Sequence, residues 1–575
     1  MRSMTPVWAV VGASVASLFL SACGGTADAA NAAQTPELRK TSLGIVQGSN
    51  DTSRNGTYAW KGLPYAKAPV GPLRWKAPVV PDAWSGTRDA RTFGHACLQN
   101  GRIYGPGANN TYDATIASTL NTPVGNEDCL TLNIWRPAHA TPKLPVIAFV
   151  YGGSNVSGYT ADPVYDGATL ARTANAVVVT LNYRLGVLGF MNLPQLKTGT
   201  NTSEDSGNFA LLDILQALKF VQTDIAAFGG DAANVTLMGQ SAGAINIWAL
   251  MTSPLSTGLF HKVVPISGGI SLASNLPAGT LPTLNPASTY LAQGNALLLN
   301  LLVADGKATD TTGAQAYLAT QTAAQVADYL RAKDAKTILT TLLAKGLTGS
   351  GPIPDGVVVP TDPIAAIAAG RYTKVPVLAG NTADEGKLFA PFLTLLGGKP
   401  GMKIGDAERF AMMASFNPDG TTTLSAADIL DASYLPVTTP STGYNAKTGL
   451  LGALFTSPSR DNVLNTLRAQ QAQVWHYQFN WAQEPAPWNE VYGAAHAFDL
   501  PFLFGNFGPS VFANAVNSAA NQPGRLALST TMMNSIAAFA RTGDPSDASQ
   551  GVAWKPWPAK MLFDASLSQA RITTE

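Results

Sequence analysis

Residues 235–244 have the sequence Val-Thr-Leu-Met-Gly-Gln-Ser-Ala-Gly-Ala, and this stretch decides the fold. Its apolar, β-branched start predicts a buried strand, and the Ala-, Ile-, Trp- and Leu-rich run behind it predicts a helix. Between them, Gly239 and Gly243 leave room for a tight turn and for a close approach of the helix to the strand. The Ser241 hydroxyl is then exposed beside the free N–H groups of a helix start. This context is typical of a nucleophile elbow.

The composition allows a large core and does not indicate a nucleic-acid partner. The chain has 575 residues, of which 46% are hydrophobic and 13% are charged, and its net charge is +1. Its length would allow three to four domains of about 150 residues, but large α/β enzymes often exceed that size in one domain. A charge this close to zero does not predict binding to nucleic acid.

The N-terminus predicts export from a bacterial cell. A charged residue and an apolar run are followed by Leu-Ser-Ala-Cys-Gly at residues 20–24, which resembles a lipobox. We expect a lipoprotein-type signal peptide at residues 1–22, acylation of Cys23 and a flexible tether at residues 23–36. The alternative is an ordinary signal peptide that is cut in the Ala-rich residues 27–33. The protein is then expected in the cell envelope or secreted, with membrane contact only through the lipid anchor.

Strands and helices alternate around the elbow, which predicts a mainly parallel sheet. Residues 144–150 and 176–181 are buried-strand runs, and a helical spacing of apolar residues follows at 206–225, before the elbow strand. Further strands are predicted at 374–380 and 474–479. Strands joined by crossover helices form parallel sheets with right-handed connections.

Several blocks of sequence resemble one known family. They are Trp-Lys-Gly-Leu-Pro-Tyr-Ala and Ala-Pro-Val-Gly-Pro-Leu-Arg-Trp within residues 60–75, Glu-Asp-Cys-Leu-Thr-Leu-Asn at 127–133, Asn-Tyr-Arg-Leu-Gly-Val-Leu-Gly-Phe at 182–190, and His-Ala-Phe-Asp-Leu-Pro-Phe-Leu-Phe-Gly at 496–505. With these blocks the chain resembles the type-B carboxylesterase and cholinesterase family of α/β-hydrolases, over residues 42–270 and 374–560.

The resemblance implies an α/β-hydrolase fold, with a large, mostly parallel central sheet flanked by helices and small strands at the N-terminus. We expect a single domain over residues 37–575. Residues of about 271–350 match the family poorly, and their Ala-, Leu- and Thr-rich sequence predicts a variable helical insert that shapes the substrate pocket.

The same resemblance implies a catalytic triad of Ser241, Glu385 and His496. Glu385 lies in an Asp-Glu-Gly motif after a predicted strand; Asp384 as the acid, or a merely solvated acidic turn, are the alternatives. His496 is the only one of five histidines in a Gly- and Ala-lined loop that follows a strand. The order serine, acid, histidine is the one expected for this fold.

The oxyanion hole is expected to use the backbone N–H groups of Gly153, Ser154 and Ala242. The family has a third glycine and an aromatic residue where this chain has Ser154 and Asn155, and it usually has glutamate in place of Gln240. A Cβ at position 154 narrows the pocket and restricts the backbone. The alternative for this loop is a plain Gly-rich turn.

The resemblance also implies a disulfide between Cys97 and Cys129, with two buried free thiols as the alternative. Export makes a disulfide chemically reasonable. The sequence contains no H-E-x-x-H motif, paired C-x-x-C motif or Walker loop, so we expect no cofactor and no metal site.

These features predict a serine carboxylic-ester hydrolase that forms an acyl-enzyme. The alternatives are a catalytically weak, cholinesterase-like binding protein and a lipase. Residues 98–128 contain no tryptophan that could bind a choline cation, which favours neutral esters of small or medium size. The natural ester and the oligomeric state stay open.

Overall fold

The structure is a computed structural model that describes residues 35–347 and 350–575. The predicted signal peptide, Cys23 and nearly all of the tether lie outside the described residues. Within the described part, the chain forms sixteen strands: β1 (Leu38–Thr41), β2 (Gly44–Gln47), β3 (Ser49–Asp51), β4 (Thr57–Pro64), β5 (Thr87–Asp89), β6 (Gln99–Asn100), β7 (Pro123–Val124), β8 (Thr131–Pro137), β9 (Leu144–Val150), β10 (Val177–Leu181), β11 (Gly230–Gln240), β12 (Lys262–Ile266), β13 (Val377–Thr382), β14 (Val474–Phe479), β15 (Met561–Ala565) and β16 (Ala570–Thr574).

Eleven of these strands form one central sheet, in the order β16-β15-β14-β13-β12-β11-β9-β10-β8-β4-β3. From β15 through β10 every neighbouring pair is parallel, and antiparallel strands are added at both edges. The large, mostly parallel sheet predicted from the sequence is therefore confirmed. The small N-terminal strands β1 and β2 form a separate sheet with β5.

The sheet is surrounded by helices. In chain order they are α1 (Thr52–Asn55), α2 (Ile116–Thr119), α3 (Ala168–Ala174), α4 (Gly186–Gly189), α5 (Phe209–Asp224), α6 (Ala242–Thr252), α7 (Ala287–Ala304), α8 (Thr311–Leu318), α9 (Ala323–Ala332), α10 (Ala335–Ala344), α11 (Pro363–Ala368), α12 (Glu385–Leu388), α13 (Asp406–Ser415), α14 (Ala426–Ile429), α15 (Tyr444–Phe455), α16 (Ser457–Arg468), α17 (Trp488–Val491), α18 (Leu500–Phe504), α19 (Ala513–Val516) and α20 (Gln522–Thr542).

The central strands β9 to β13 lie in the core. Almost every residue of these strands is buried, which explains why their sequences are continuous apolar runs and do not alternate. The register sets Gly239 opposite Val150 and Gln240 opposite Ile266, so the carboxyl ends of β9, β11 and β12 meet at one edge. That edge is where open parallel sheets place their functional groups.

The insert packs as a helical layer with its own apolar cluster. Apolar side chains of α7 to α10 pack with Trp75, Met191, Leu193 and Phe209, separately from the main core under the sheet. None of the helices in the described ranges is long and apolar enough to cross a membrane.

Candidate active site

Ser241 lies in the sharp turn between β11 and α6. Its backbone has φ 56° and ψ −121°, a conformation that is strained for any residue except glycine. A Cβ on Gly243 would lie 2.1 Å from the carbonyl oxygen of Val150, and one on Gly239 would lie 2.9 Å from the same atom. Gly243 is therefore required for the close contact between α6 and β9, and Gly239 for the close approach of β11 to the same carbonyl of β9.

Glu385 lies at the start of α12, directly after β13, and its carboxylate is held by several donors. Its Oε1 accepts hydrogen bonds from Ser267 Oγ (2.7 Å), from the backbone N–H of Thr382 (2.9 Å) and from Asn381 Nδ2 (3.0 Å). Burial would raise the pKa of Glu385, but the adjacent His496 and these hydrogen bonds outweigh it, so the pKa is lowered from its ordinary value. Glu385 is therefore ionised near neutral pH.

The glycine after Glu385 has a packing role. A Cβ on Gly386 would lie 1.9 Å from the carbonyl oxygen of Thr448 in α15. Only glycine lets α12 approach α15 so closely, and this contact fixes the position of Glu385.

His496 is buried, with 4% of its surface exposed, and both ring nitrogens have partners. Its Nδ1 is hydrogen-bonded to Glu385 Oε2, and its Nε2 lies 3.0 Å from Nε2 of Gln240. Because the ionised carboxylate accepts a hydrogen bond from Nδ1–H, the Nε2 lone pair is left to accept a hydrogen bond from Gln240. That is the tautomer a general base for Ser241 needs.

Asp384, the alternative acid, has other partners. Its Oδ2 accepts a hydrogen bond from the backbone N–H of Ala494 (3.2 Å) and lies 3.4 Å from Lys387 Nζ. The carboxylate that contacts His496 belongs to Glu385.

The loop after β9 brings three left-handed residues up to the elbow. Gly153, Ser154 and Asn155 have φ values of 103°, 57° and 56°. A Cβ on Gly152 would lie 2.8 Å from Ser241 Cβ, so glycine is needed at that position. Within the described residues, the backbone N–H groups of Gly153, Ser154 and Ala242 make no hydrogen bond, which leaves them free for a ligand.

Asn155 replaces the aromatic residue of the family and makes a buried polar network. Its Oδ1 accepts hydrogen bonds from Asn246 Nδ2 (2.8 Å) and from the Tyr183 hydroxyl (3.1 Å), and its Nδ2 donates to Asn246 Oδ1 (3.3 Å). Asn246 belongs to α6, so the network joins the loop to the helix whose first residue is Ala242.

A cavity of about 430 Å³ opens onto these residues. Ser241, His496, Gly153, Ser154 and Gln240 all line it. Its other walls are mostly apolar and come from the segments 100–121, 157–165, 388–409 and 497–517.

The described part of the insert does not line this cavity, which differs from the expectation that residues of about 271–350 shape the pocket. Among the described residues, the insert is hydrogen-bonded to the site where Ser350 Oγ donates to the carbonyl oxygen of Ser154 (2.8 Å). The physical reason is that the apolar faces of α7 to α10 are buried in a cluster with Trp75, Met191, Leu193 and Phe209.

A disulfide joins Cys97 and Cys129 and closes a loop that contains the β6–β7 ribbon. Its residues 100–121 form one cavity wall. Within the described residues, no group of three or more His, Cys, Asp or Glu side chains is placed to hold a metal ion.

The sequence interpretation did not identify three contacts of the site. Ser267 and Asn381 hold Glu385, and Gln240 holds His496. The available signal was the position of Gln240 and Asn381, because each lies at the carboxyl end of a predicted strand.

Comparison with known proteins agrees with the fold. The sequence profile of the Carboxylesterase family matches residues 35–570. The para-nitrobenzyl esterase of Bacillus subtilis (strain 168) is 32% identical over 527 residues, which cover 91% of this chain and 93% of that protein. The fumonisin B1 esterase of Sphingopyxis macrogoltabida is 32% identical over 540 residues, which cover 92% and 86%.

Solved structures show the same architecture. A para-nitrobenzyl esterase superposes with a TM-score of 0.68 at 29% identity, covering 94% of this chain and 97% of that one. A carboxylesterase of Geobacillus stearothermophilus gives a TM-score of 0.68 at 28% identity, covering 94% and 98%. The fold is thus that of the α/β-hydrolases. The chain belongs to the carboxylesterase family and is a carboxylic ester hydrolase.

Proposed function

We propose that this enzyme hydrolyses carboxylic esters through a triad of Ser241, His496 and Glu385. The observation that carries the proposal is the position of His496, whose Nδ1 is hydrogen-bonded to the ionised carboxylate of Glu385 and whose ring lines the same cavity as Ser241. A free serine hydroxyl is a poor nucleophile and needs such a base.

The reaction proceeds in two halves. His496 Nε2 takes the proton of Ser241 as Oγ attacks the ester carbonyl, and then gives it to the leaving alcohol. Water, activated by the same nitrogen, then hydrolyses the acyl-enzyme. Glu385 keeps the imidazole in the required tautomer and stabilises the imidazolium. Gln240 occupies Nε2 before the reaction, so its amide must give way to the serine proton.

The tetrahedral intermediate is stabilised by the backbone N–H groups of Gly153, Ser154 and Ala242. Within the described part of the chain these N–H groups make no other hydrogen bond, and they lie on the cavity wall or at the start of α6, which supports this role. Each donor of this kind contributes about 10²–10³ in rate.

We also propose neutral esters of small or medium size as substrates. The cavity volume of about 430 Å³ and its apolar walls support this size class. The lipobox-like sequence at residues 20–24 supports a location in the bacterial cell envelope or outside the cell, with anchoring through an acylated Cys23.

The test is turnover of 4-nitrophenyl butyrate by the wild-type enzyme and by Ser241→Ala. We expect the variant to lose at least roughly 10³-fold in kcat, because the acyl-enzyme cannot form. Ser568→Ala, in an exposed turn, is the matched control and should keep full activity. Activity that survives in Ser241→Ala, or is missing from the wild type, would reject the enzyme mechanism.

The same assay separates the alternatives. A binding protein would give no turnover in any variant. A lipase would show a jump in rate when the ester forms micelles, whereas the proposed esterase responds only to dissolved substrate.

A further inference from the structure

One wall of the active-site cavity carries a group of polar side chains from the disulfide loop. In the β6–β7 ribbon, Asn100 pairs with Pro123, and the backbone N–H of Asn121 donates to the carbonyl oxygen of Gly101 at 2.8 Å. Asn100, Arg102 and Asn121 are therefore neighbours, and all three line the cavity.

These three side chains lack protein partners. Within the described residues, none of them makes a side-chain hydrogen bond or an ion pair, so the amide N–H groups of Asn100 and Asn121 and the guanidinium of Arg102 have no protein acceptor. Arg102 is only partly exposed. A guanidinium without a counter-ion in the wall of a mostly apolar cavity can form charge-assisted hydrogen bonds, so this wall suits a negatively charged ligand group.

The other charged groups of the cavity do not neutralise Arg102. Asp406 is paired with Arg409 in the same helix, α13. Asp162 accepts a hydrogen bond from the backbone N–H of Val164 (3.0 Å) and, within the described residues, forms no ion pair with Arg102. Arg102 is thus the cavity cation that remains unpaired among the described residues.

This wall is held against the reaction centre. Gln99, the residue before Asn100, donates from Nε2 to the carbonyl oxygen of Gly158 (3.0 Å) and accepts from the backbone N–H of Gly158 (2.9 Å). The preceding residue, Ser157, donates its N–H to the carbonyl oxygen of Gly153 (3.1 Å). The polar wall and the proposed oxyanion loop are therefore connected through the segment 157–158, which is hydrogen-bonded to Gln99 on one side and to Gly153 on the other.

We propose that Asn100, Arg102 and Asn121 bind a carboxylate of the substrate, so that the enzyme also acts on esters with a free carboxylate remote from the scissile bond. Half-esters of dicarboxylic acids are the simplest members of this class. The proposal rests on the proposed reaction at Ser241 and extends its substrates beyond neutral esters. Arg102 supplies charge-assisted hydrogen bonds, and the two amides supply further donors. Apolar walls such as Phe389 and Phe498 accommodate the linking chain.

The test compares two esters of equal length, mono-4-nitrophenyl adipate and 4-nitrophenyl heptanoate. We expect Arg102→Gln to lower kcat/KM for the adipate half-ester about tenfold or more, because a charge-assisted contact is lost. The heptanoate should change by less than about twofold, because its chain end has no charge to pair. Arg102→Lys should keep part of the preference for the adipate half-ester over the heptanoate. Arg88→Gln, on the exposed strand β5, is the matched control.

Equal losses on both esters, or no loss on either, would overturn the carboxylate site. If the wild type hydrolyses neither ester, the proposed function itself fails. If it hydrolyses the heptanoate and Arg102→Gln leaves the ratio of the two unchanged, only the carboxylate site fails.

A measurement on the wild-type enzyme keeps the proposal testable if Arg102→Gln does not fold. Free adipate and neutral adipamide are compared as competitive inhibitors of heptanoate hydrolysis. Adipate should bind about tenfold more tightly, and added salt should weaken it. Equal inhibition by the two compounds would overturn the proposal.

Discussion

Asp499 is a buried carboxyl group close to the triad. Its Oδ2 accepts a hydrogen bond from the Tyr477 hydroxyl (2.8 Å), while its Oδ1 is buried without a partner among the described residues. Burial raises the pKa of Asp499 to about 7, against the effect of the Tyr477 hydrogen bond. This residue therefore makes the stability of the folded protein depend on pH.

The sign follows from the two pKa values. In the unfolded chain the carboxyl ionises near its ordinary pKa of about 3.9. As the pH rises from about 4 to 7, the unfolded state loses this proton before the folded state does, so stability falls and then levels off. Asp499→Asn removes this loss of stability, and its amide oxygen can still accept the hydrogen bond from the Tyr477 hydroxyl.

We expect Asp499→Asn to gain up to about 4 kcal/mol in the free energy of unfolding at a pH of about 8, and nothing near pH 4. The thermal midpoints of the variant and the wild type, scanned at one rate across this range, measure the gain. A difference in thermal midpoint that does not change with pH would contradict a raised pKa of Asp499.

At the scale of elements, the oxyanion loop and α6 are joined by the Asn155–Asn246 amide pair. Gly153, Ser154 and Asn155 all have positive φ, and for the two residues that are not glycine, Ser154 and Asn155, this conformation is costly unless their surroundings fix it. The amide pair supplies that restraint, since both side chains are buried and hydrogen-bonded to each other. It also keeps the loop donors at a constant distance from Ala242, the first residue of α6.

Removal of the pair should lower kcat more than it changes KM. We expect Asn246→Leu and Asn155→Gly each to reduce kcat about tenfold, and the double variant to lose little more, with a coupling of about 0.5–3 kcal/mol. Steady-state kinetics on 4-nitrophenyl butyrate, with thermal midpoints as a check on folding, measure the effect. Fully additive losses, or losses seen only in KM, would show that the pair has no role in positioning the loop.

The elements were largely predictable because apolar runs define them. The predicted strands at 144–150 and 474–479 coincide with β9 and β14, and the run at 176–181 starts one residue before β10. The elbow was equally predictable, since its glycines are a packing requirement. The contacts Gln240–His496 and Asn155–Asn246 were not, because they join distant segments whose side-chain directions one sequence does not reveal.

At the scale of the whole molecule, the Cys97–Cys129 disulfide keeps one wall of the cavity in place. Both cysteines are buried, and the loop they close carries the β6–β7 ribbon. The sequence predicted this pairing by resemblance and found no choline-binding tryptophan in the loop. It did not predict that Arg102 lines the cavity, because nothing in the spacing of an irregular loop fixes where a side chain points.

The variant Cys97→Ser/Cys129→Ser should be less stable than the wild type by about 3–4 kcal/mol, since the unfolded chain gains loop entropy. Its thermal midpoint measured by calorimetry should fall accordingly. Reducing agent should leave the midpoint of this variant unchanged, which is the control. Equal midpoints for the wild type and the variant would contradict a stabilising role.

The helical layer of α7 to α10 has a consequence for how relatives of this enzyme diverge. Its side chains pack with one another and with Trp75, Met191 and Phe209, and none of them lines the cavity. Selection on substitutions in this layer therefore acts through folding. It does not act through the choice of the ester that is cleaved. Overall sequence identity, which counts every position in this layer, is therefore a poor guide to shared substrates, and the few residues of the cavity walls are a better one.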